Sequence, residues 1–231
     1  METAQRPPIR VVVFDAYGTL FDVYSIGVLA EQLFPGKGDA LTRLWRERQI
    51  DYTRLRTLSN RYQPFDVVTR DALRWTADAL GLALTEAAET QLMARYAQLS
   101  AHADALDALR ALKAMNMRLA ILSNGTPAML DVLVEHTGMQ GMFERVLSVD
   151  AVGQYKTAAA AYQLAPDAFG LPAREMLFVS SNGWDACGGA WFGYTTIWIN
   201  RSGLPAERLG VTPDATGDSL HEVVRFITAR T

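Results

Sequence analysis

Charged, hydroxyl and amide side chains follow several apolar runs of this sequence, each at the point where the run ends. Asp15 follows Val11–Phe14, and Ser123 and Asn124 follow Ala120–Leu122. After later apolar runs come Lys156, Ser180, Asn182 and Asp185. Two carboxylates, one ammonium group and several hydrogen-bonding groups are side chains that enzymes use for nucleophilic and acid–base chemistry. Their repeated place after apolar runs predicts one shared chemical site.

Each of these residues also has a purely structural explanation. Asp15 alone is typical of a cap or turn residue after a strand, and Ser123 or Asn182 alone is typical of a helix cap. Lys156 alone is typical of a solvated surface lysine. The joint occurrence of these residues at successive strand ends favours the shared site over the separate explanations.

Short apolar runs and segments with helical spacing alternate along most of the chain. The runs predict buried strands at Ile9–Phe14, Arg118–Leu122, Val146–Val149, Met176–Val179 and Thr195–Ile199. The intervening segments predict helices at Asp107–Lys113, Met129–His136, Ala158–Phe169 and Asp185–Phe192. This alternation predicts an α/β fold with a Rossmann-like parallel sheet, whose strand carboxyl ends carry the site.

About a hundred residues separate the first two predicted strands, and they have almost no strand pattern. Helical spacing recurs there in Val28–Phe34, Leu41–Leu58, Val67–Leu80 and Ala87–Leu99. A crossover helix needs far fewer residues than this. The excess predicts an inserted helical subdomain at residues 21–101, and a catalytic core formed by residues 1–20 and 102–231.

Composition excludes several classes of protein. The chain has 231 residues, 49% of them hydrophobic and 20% charged, with a formal net charge of −3. The sequence has no basic stripe of the kind that would indicate nucleic-acid binding. It also has no apolar run long enough to predict a membrane span. Met1–Arg10 predicts neither a signal peptide nor a membrane anchor. Because Cys187 is the only cysteine, no intrachain disulfide is possible, and we expect a cytoplasmic protein.

Four motifs in the order found here resemble those of the haloacid dehalogenase-like superfamily. They are Asp15-Ala16-Tyr17-Gly18-Thr19-Leu20, the strand end Ser123-Asn124-Gly125, Lys156, and the acidic loop that contains Asp185. The resemblance covers nearly the whole chain. It implies that the helical insertion is the cap domain of that superfamily.

Most members of the superfamily are magnesium phosphotransferases, and this sequence departs from them at two points. Tyr17 stands where they have a second Asp, and a phenol cannot protonate a leaving alkoxide as a carboxylic acid does. The fourth motif opens with the neutral residues 180–182 and keeps only Asp185, whereas Mg²⁺ prefers anionic oxygen ligands. We therefore expect no metal and no other cofactor.

At these same positions the sequence resembles the L-2-haloacid dehalogenase family. The run Ser180-Ser181-Asn182-Gly183-Trp184-Asp185 is also closely similar to that family's sequence. Leu44–Thr53 is similar to the arginine-bearing cap helix of that family, with the arginine at Arg46. Glu47 stands where some members have glutamine, and Thr157 where the superfamily usually has proline. Two alternatives stay open: a magnesium-dependent phosphatase, and a non-catalytic binding protein, against which the intact polar set argues.

The resemblance implies a two-step hydrolysis of short L-2-haloalkanoates. Asp15 would displace the halide with inversion and form an ester, and water would then attack the carboxyl carbon of Asp15 to release a D-2-hydroxy acid. Lys156 would hold Asp15 anionic, and Asp185 would orient Lys156 and position or deprotonate the water. Ser123 would bind the substrate carboxylate. Ser180 and Asn182 would orient Asp15, Lys156 and the water through hydrogen bonds. Thr19, the other candidate catalytic residue, can hydrogen-bond the turn backbone or the Asp15 carboxylate itself.

The resemblance also implies how the leaving halide and the alkyl group are bound. The halide would leave toward Arg46, Asn124 and the edge of Trp184. An apolar pocket around the alkyl group would be formed by Tyr17, Ile50 and Phe65, of which the last two are also typical of simple cap packing. Tyr162 would reach the substrate or Ser123. The family commonly forms homodimers, so we expect a homodimer, with the apolar faces of residues 29–34 and 41–58 as candidate contacts.

Overall fold

The structure is a computed structural model, and it describes residues 7–230. The expectation of no signal peptide or anchor in Met1–Arg10 falls mostly on residues 1–6, which lie outside the described range. Within that range, no helix combines the length and the apolar character that a bilayer span requires.

One six-stranded parallel sheet forms the centre of the molecule. Its strands are β1 (Val11–Phe14), β2 (Arg118–Ser123), β3 (Arg145–Ser148), β4 (Met176–Ser180), β5 (Thr195–Ile199) and β6 (Ala215–Gly217). Their spatial order is β3-β2-β1-β4-β5-β6, and every neighbouring pair is parallel. The predicted α/β fold with a parallel sheet is therefore confirmed.

The strand order reverses at β1, which lies between β2 on one side and β4 on the other. In open parallel sheets such a reversal opens a crevice at the carboxyl ends of the two diverging strands, and ligands bind there. The register pairs Phe14 of β1 with Val179 of β4. The next residues of each strand, Asp15 and Ser180, therefore meet at this crevice.

Nine helices are found among the described residues. Four of them follow β1 before the chain returns to the sheet: α1 (Gly27–Leu33), α2 (Gly38–Leu58), α3 (Phe65–Ala79) and α4 (Glu86–Tyr96). The other five are α5 (Ala105–Ala114), α6 (Pro127–His136), α7 (Ala159–Phe169), α8 (Gly183–Phe192) and α9 (His221–Thr228). Short 3-10 helices lie at Val149–Ala151 and Ala173–Glu175.

Both faces of the sheet are covered by apolar side chains. Val12 and Phe14 of β1 pack into one buried cluster, which includes Leu109 of α5. Val11 and Val13 point to the opposite face and pack into a second cluster, which includes Tyr162 of α7. Because alternate residues of a strand face opposite sides, a strand buried on both faces needs the continuous apolar run that the sequence has.

The structure differs from the predicted elements at the two edges of the sheet. Strand β6 and helix α9 were not predicted. At the other edge, β3 ends at Ser148, because Val149 begins a 3-10 helix, and Val146 is 37% exposed. An edge strand has a neighbour on one side only, so its side chains are less completely covered than those of β1.

Helices α1–α4 form the inserted region, and side chains join the helices to each other. The indole N–H of Trp45 in α2 donates to the carbonyl oxygen of Thr69 in α3 at 2.8 Å. The two chain segments that connect α1–α4 to the sheet run side by side. Asp22 N donates to Ser100 O at 2.8 Å, and His102 N donates to Leu20 O at 2.9 Å.

Candidate active site

The carboxylate of Asp15 is surrounded by hydrogen-bond donors. Lys156 Nζ lies 3.0 Å from Oδ1. On the other oxygen, Oδ2, Thr19 Oγ1 and Asn182 Nδ2 each donate at 2.9 Å, and Ser180 Oγ lies at 3.5 Å. The Asp15 residue is only 6% exposed. A buried carboxylate is costly unless it is paired and hydrogen-bonded, and these donors satisfy that need.

The backbone near Asp15 explains how the donors come together. Asp15 N donates to Val179 O at 2.9 Å. The hydrogen bonding between β1 and β4 therefore continues as far as Asp15. Gly18 then turns the chain with a φ of +92°, a conformation that glycine adopts without strain. The turn brings Thr19 Oγ1 within 2.7 Å of the amide of Ser181, from which it accepts. The Thr19 hydroxyl thus joins the loops that follow β1 and β4.

Lys156 is buried between two carboxylates. Its Nζ lies 3.0 Å from Asp15 Oδ1 and 3.0 Å from Asp185 Oδ2. Tyr162 donates its hydroxyl to Asp185 Oδ1 at 2.7 Å. The result is a continuous buried chain from Tyr162 through Asp185 and Lys156 to Asp15.

The pKa directions follow from burial and charge. Burial alone would lower the pKa of Lys156, but the charges of Asp15 and Asp185 together raise it above the ordinary value, so the amine is an ammonium ion at neutral pH. Burial raises the pKa of Asp185, with Lys156 opposing this and the charge of Asp15 adding to it. A carboxylate with a raised pKa is a better proton acceptor near neutral pH.

A small cavity faces the Asp15 carboxylate between the strand ends and the inserted helices. Its free volume is about 10 Å³, which is room for one water molecule. It is lined by Asp15, Tyr17, Arg46, Ile50, Thr53, Phe65, Asn124, Asn182 and Trp184. A wider cleft of about 300 Å³ lies beside it and shares Arg46, Ile50, Asn182 and Trp184.

Hydrogen-bond donors and an aromatic ring lie on the wall of the cavity. Asn124 accepts from the backbone amide of Lys156 through Oδ1 at 3.1 Å, so its NH₂ group remains as the donor. Arg46 Nη2 lies 3.3 Å from Tyr17 O and 3.4 Å from Asn182 Oδ1. Trp184 lies in the first turn of α8. Amide, guanidinium and indole groups are suited to stabilising an anion that forms in a small enclosed cavity.

Tyr17 forms an aromatic wall with one unused polar group. Its ring lies 5.2 Å from that of Phe65 and is stacked 5.7 Å from that of Tyr96. The buried hydroxyl has no hydrogen-bond partner among residues 7–230. Burial raises the pKa of Tyr17 well above its ordinary value, so the hydroxyl stays protonated and can donate.

Some residues of the site lie elsewhere than expected. Tyr162 does not hydrogen-bond Ser123; its hydroxyl contacts Asp185 instead, because α7 places it beneath Lys156. The Ser123 hydroxyl is fully buried, accepts from Gly125 N at 3.1 Å and is absent from the cavity wall. Glu47 lines the neighbouring cleft rather than the cavity. Three further residues near the cavity were not predicted: Gln49 and Thr53, which lie in the Leu44–Thr53 run but were given no role, and Tyr96, which lies in no motif.

The described residues contain no group of three or more His, Cys, Asp or Glu side chains arranged to hold a metal ion. Near the cavity the carboxylates are Asp15 and Asp185, and Lys156 lies between them at hydrogen-bond distance from both. The Lys156 ammonium group therefore pairs with both carboxylates.

The strand order, with the buried Asp15–Lys156 pair at the carboxyl ends of the strands, defines an α/β protein with a carboxylate site at the point where the order reverses. Residues 9–193 match the family model of the haloacid dehalogenase-like hydrolases. The chain belongs to this family.

Curated relatives and solved structures place the chain within that family. It is 46% identical over 218 residues to the (S)-2-haloacid dehalogenase of Pseudomonas sp. (strain YL), with 94% of each chain covered. The crystal structure of the L-2-haloacid dehalogenase RSc1362 aligns with a TM-score of 0.94 at 57% identity, covering 96% of this chain and 99% of that one. The protein is a member of the (S)-2-haloacid dehalogenases.

A third comparison is with a structure that contains a covalently bound compound. The L-2-haloacid dehalogenase of Xanthobacter autotrophicus was solved with chloropropionic acid covalently bound. It aligns with a TM-score of 0.90 at 35% identity, covering 96% of this chain and all of that one.

Proposed function

We propose that this protein hydrolyses short L-2-haloalkanoic acids to D-2-hydroxy acids through an ester on Asp15, without a metal. The observation that carries the proposal is the Asp15 carboxylate, which is paired with Lys156 and faces a cavity with amide, guanidinium and indole groups. The covalently bound chloropropionic acid in the Xanthobacter autotrophicus relative supports the ester.

In the first step Asp15 attacks the α-carbon and the halide leaves. Oδ2 already accepts from Thr19 and Asn182, whereas among residues 7–230 the one hydrogen bond to Oδ1 comes from Lys156. We assign the attack to Oδ1, because Oδ2 is held in place by its donors. The C–X bond breaks as the O–C bond forms, and the electron pair leaves with the halide toward Arg46, Asn124 and Trp184.

In the second step water attacks the carboxyl carbon of Asp15. Negative charge then develops on Oδ2, where Thr19 and Asn182 already donate at 2.9 Å, as in an oxyanion hole. Asp185 accepts a proton from the water. Lys156 gives a proton to the leaving alkoxide oxygen, which is the former Oδ1, and the 2-hydroxy acid is released. Asp185, 3.0 Å from Lys156 Nζ, then returns its proton to the lysine, and the second water proton leaves the Asp15 carboxyl group to solvent, which restores the starting charges.

We also propose that residues 21–101 act as a cap over a core formed by residues 1–20 and 102–231. The paired connections at Asp22–Ser100 and Leu20–His102 support these limits. At the opposite end of the cap, Tyr62 donates to Asp150, and Tyr155 donates to Gln63 O at 2.6 Å. A haloacid is larger than the closed cavity, so the substrate enters from the neighbouring cleft as the cap moves away.

We propose for Ser123, Ile50 and Phe65 the roles that the family resemblance implies. Ser123 binds the substrate carboxylate together with the backbone near Asn124, and the two apolar side chains bound the alkyl group. The positions of Ile50 and Phe65 on the cavity wall support this. For Ser123 to bind the substrate carboxylate, the hydrogen of its hydroxyl group must reach the substrate when the cavity widens.

We further propose a cytoplasmic homodimer. The single cysteine supports a reducing compartment. Exposed apolar side chains on the cap helices support an association of two caps: Val28 is 70% exposed, Leu55 57% and Leu58 82%. Light scattering after size exclusion gives the molar mass, and a monomer at all concentrations would contradict the dimer.

Halide release tests the proposed reaction. The substrates are L-2-chloropropionate, D-2-chloropropionate and p-nitrophenyl phosphate, each with and without excess EDTA. We expect halide from the L-acid only, with the same rate in EDTA, and no phosphate release. Phosphate release that EDTA abolishes and magnesium restores would indicate a phosphatase, and no turnover at all would indicate a binding protein.

A further inference from the structure

Gln49 is a buried polar side chain one turn after Arg46 on helix α2. It is 1% exposed, although α2 carries many charged residues. Its side-chain oxygen Oε1 accepts from Arg46 Nη1 at 2.7 Å. This is the shortest hydrogen bond of the Arg46 guanidinium, since those to Tyr17 O and Asn182 Oδ1 measure 3.3 and 3.4 Å.

Thr69 on the neighbouring helix α3 fixes the orientation of the Gln49 amide. The Thr69 hydroxyl donates its only hydrogen to Phe65 O at 2.6 Å. It can therefore only accept from Gln49, whose Nε2 lies 2.6 Å away. With the NH₂ group committed to Thr69, the carbonyl oxygen of the amide must face Arg46.

Tyr96 on helix α4 donates a further hydrogen bond to Gln49 Oε1, at 3.2 Å. Burial raises the pKa of Tyr96, which keeps its hydroxyl protonated. The Tyr96 ring is stacked on that of Tyr17 in the cavity wall. Residues on three helices, α2, α3 and α4, thus hold the Gln49 side-chain oxygen where it accepts the hydrogen bond from Arg46.

We propose that Gln49 is a positioning residue that holds the Arg46 guanidinium where it binds the leaving halide. The inference rests on the proposed dehalogenase function. An amide is suited to this task because it accepts a hydrogen bond without neutralising the cation. A carboxylate at the same place would form an ion pair and weaken the attraction of Arg46 for the halide.

The test measures binding of bromide as well as turnover. Gln49→Leu removes the acceptor at similar size, and Gln49→Glu keeps an acceptor but adds a charge. For each protein, the dissociation constant of bromide is obtained from its effect on thermal unfolding, and the rate of halide release from L-2-chloropropionate is measured. We expect both variants to bind bromide about tenfold more weakly or worse, with kcat reduced more than KM is raised.

A matched control lies on the same helix. Thr42 is buried in α2 and donates to Gly38 O at 3.0 Å, so Thr42→Val removes a buried hydrogen bond in which neither Arg46 nor Gln49 takes part. It should leave bromide affinity unchanged. Unchanged bromide affinity in a folded Gln49→Leu variant would overturn the proposal.

A second pair of variants applies if Gln49→Leu does not fold. Thr69→Val removes the group that orients the amide, and Thr69→Ser retains it. Weaker bromide binding in the first and normal binding in the second supports the proposal, whereas equal binding in both overturns it. Bromide binding does not require turnover, so a wild-type protein that binds bromide but releases no halide would contradict the proposed reaction alone.

Discussion

Lys156 Nζ lies 3.0 Å from Oδ1 of Asp15, and the Lys156 side chain is only 1% exposed. Lys156 Nζ also lies 3.0 Å from Oδ2 of Asp185, so one cation faces two carboxylates. When Asp15 becomes an ester, it loses its charge and the remaining Lys156–Asp185 pair is balanced. The ester state is therefore the one in which the buried charges of this cluster cancel.

Replacing Asp15 by Asn removes the nucleophile with almost no change of shape. An amide is a far weaker nucleophile than a carboxylate, so we expect a loss of at least about 10³-fold in turnover of L-2-chloropropionate. Halide release by freshly purified Asp15→Asn measures this, with mass spectrometry to check for deamidation. Wild-type rates in an intact variant would remove Asp15 from the nucleophile role.

Replacing Lys156 by Met leaves two buried carboxylates without a cation. Breaking a buried ion pair in this way costs about 3–5 kcal/mol of folding free energy, and dehalogenation should be lost as well. Urea unfolding measures the stability. Lys37→Met, at an exposed lysine, is the matched control and should stay within about 0.5 kcal/mol of wild type; equal effects of both substitutions would contradict the pairing.

The raised pKa of Lys156 predicts a loss of stability in alkaline solution. Because the folded pKa lies above the ordinary value of 10.5, the ammonium contributes its full stabilisation below pH 10.5. That contribution disappears as the pH rises further, through the folded pKa. On the alkaline side, the difference in unfolding free energy between wild type and Lys156→Met should therefore begin to narrow only above pH 10.5; narrowing between about pH 7 and 9 would speak against a raised pKa.

The elements around the site were predictable because their sequence pattern is local. Strand β1 is a continuous apolar run ending on Asp15, and burial on both faces requires such a run. Strand β6 was missed because Ala215–Gly217 has no apolar run. Helix α9 was missed although Leu220, Val223 and Ile227 have helical spacing and are buried; that pattern was present in the sequence.

The contacts that order the site were harder to predict. Lys156 and Asp15 are 141 positions apart, and only the family resemblance related their roles. Gln49 is a polar residue in a polar helix, and its partner Thr69 is 20 positions further along the chain. Only the packing of α2 against α3 brings these two together, so no local pattern indicates that Gln49 is buried.

Removing the hydroxyl of Tyr17 tests whether the substrate contacts it. The group is buried without a partner in the described range, and an unsatisfied buried group costs about 1–3 kcal/mol. We expect Tyr17→Phe to be at least as stable as wild type, with a KM for L-2-chloropropionate raised about tenfold. Tyr155→Phe is the matched control, because the Tyr155 hydroxyl donates to Gln63 O at 2.6 Å and its loss should destabilise. A less stable Tyr17→Phe with unchanged KM would contradict a substrate contact.

The last prediction concerns the atom that water attacks. In a single turnover with excess enzyme in ¹⁸O-water, the released hydroxy acid should contain oxygen from Asp15, and the solvent label should enter the Asp15 carboxylate. The substrate carbon is blocked on the side of attack by Asp15 itself. When water attacks the carboxyl carbon of Asp15, negative charge develops on Oδ2, and the hydrogen bonds from Thr19 and Asn182 to that oxygen stabilise it. Mass spectrometry of product and of the peptide with Asp15 locates the label, and chiral analysis should find the D-hydroxy acid. Full solvent label in the product of the first turnover would mean that water displaces the halide directly, with Asp15 as a general base.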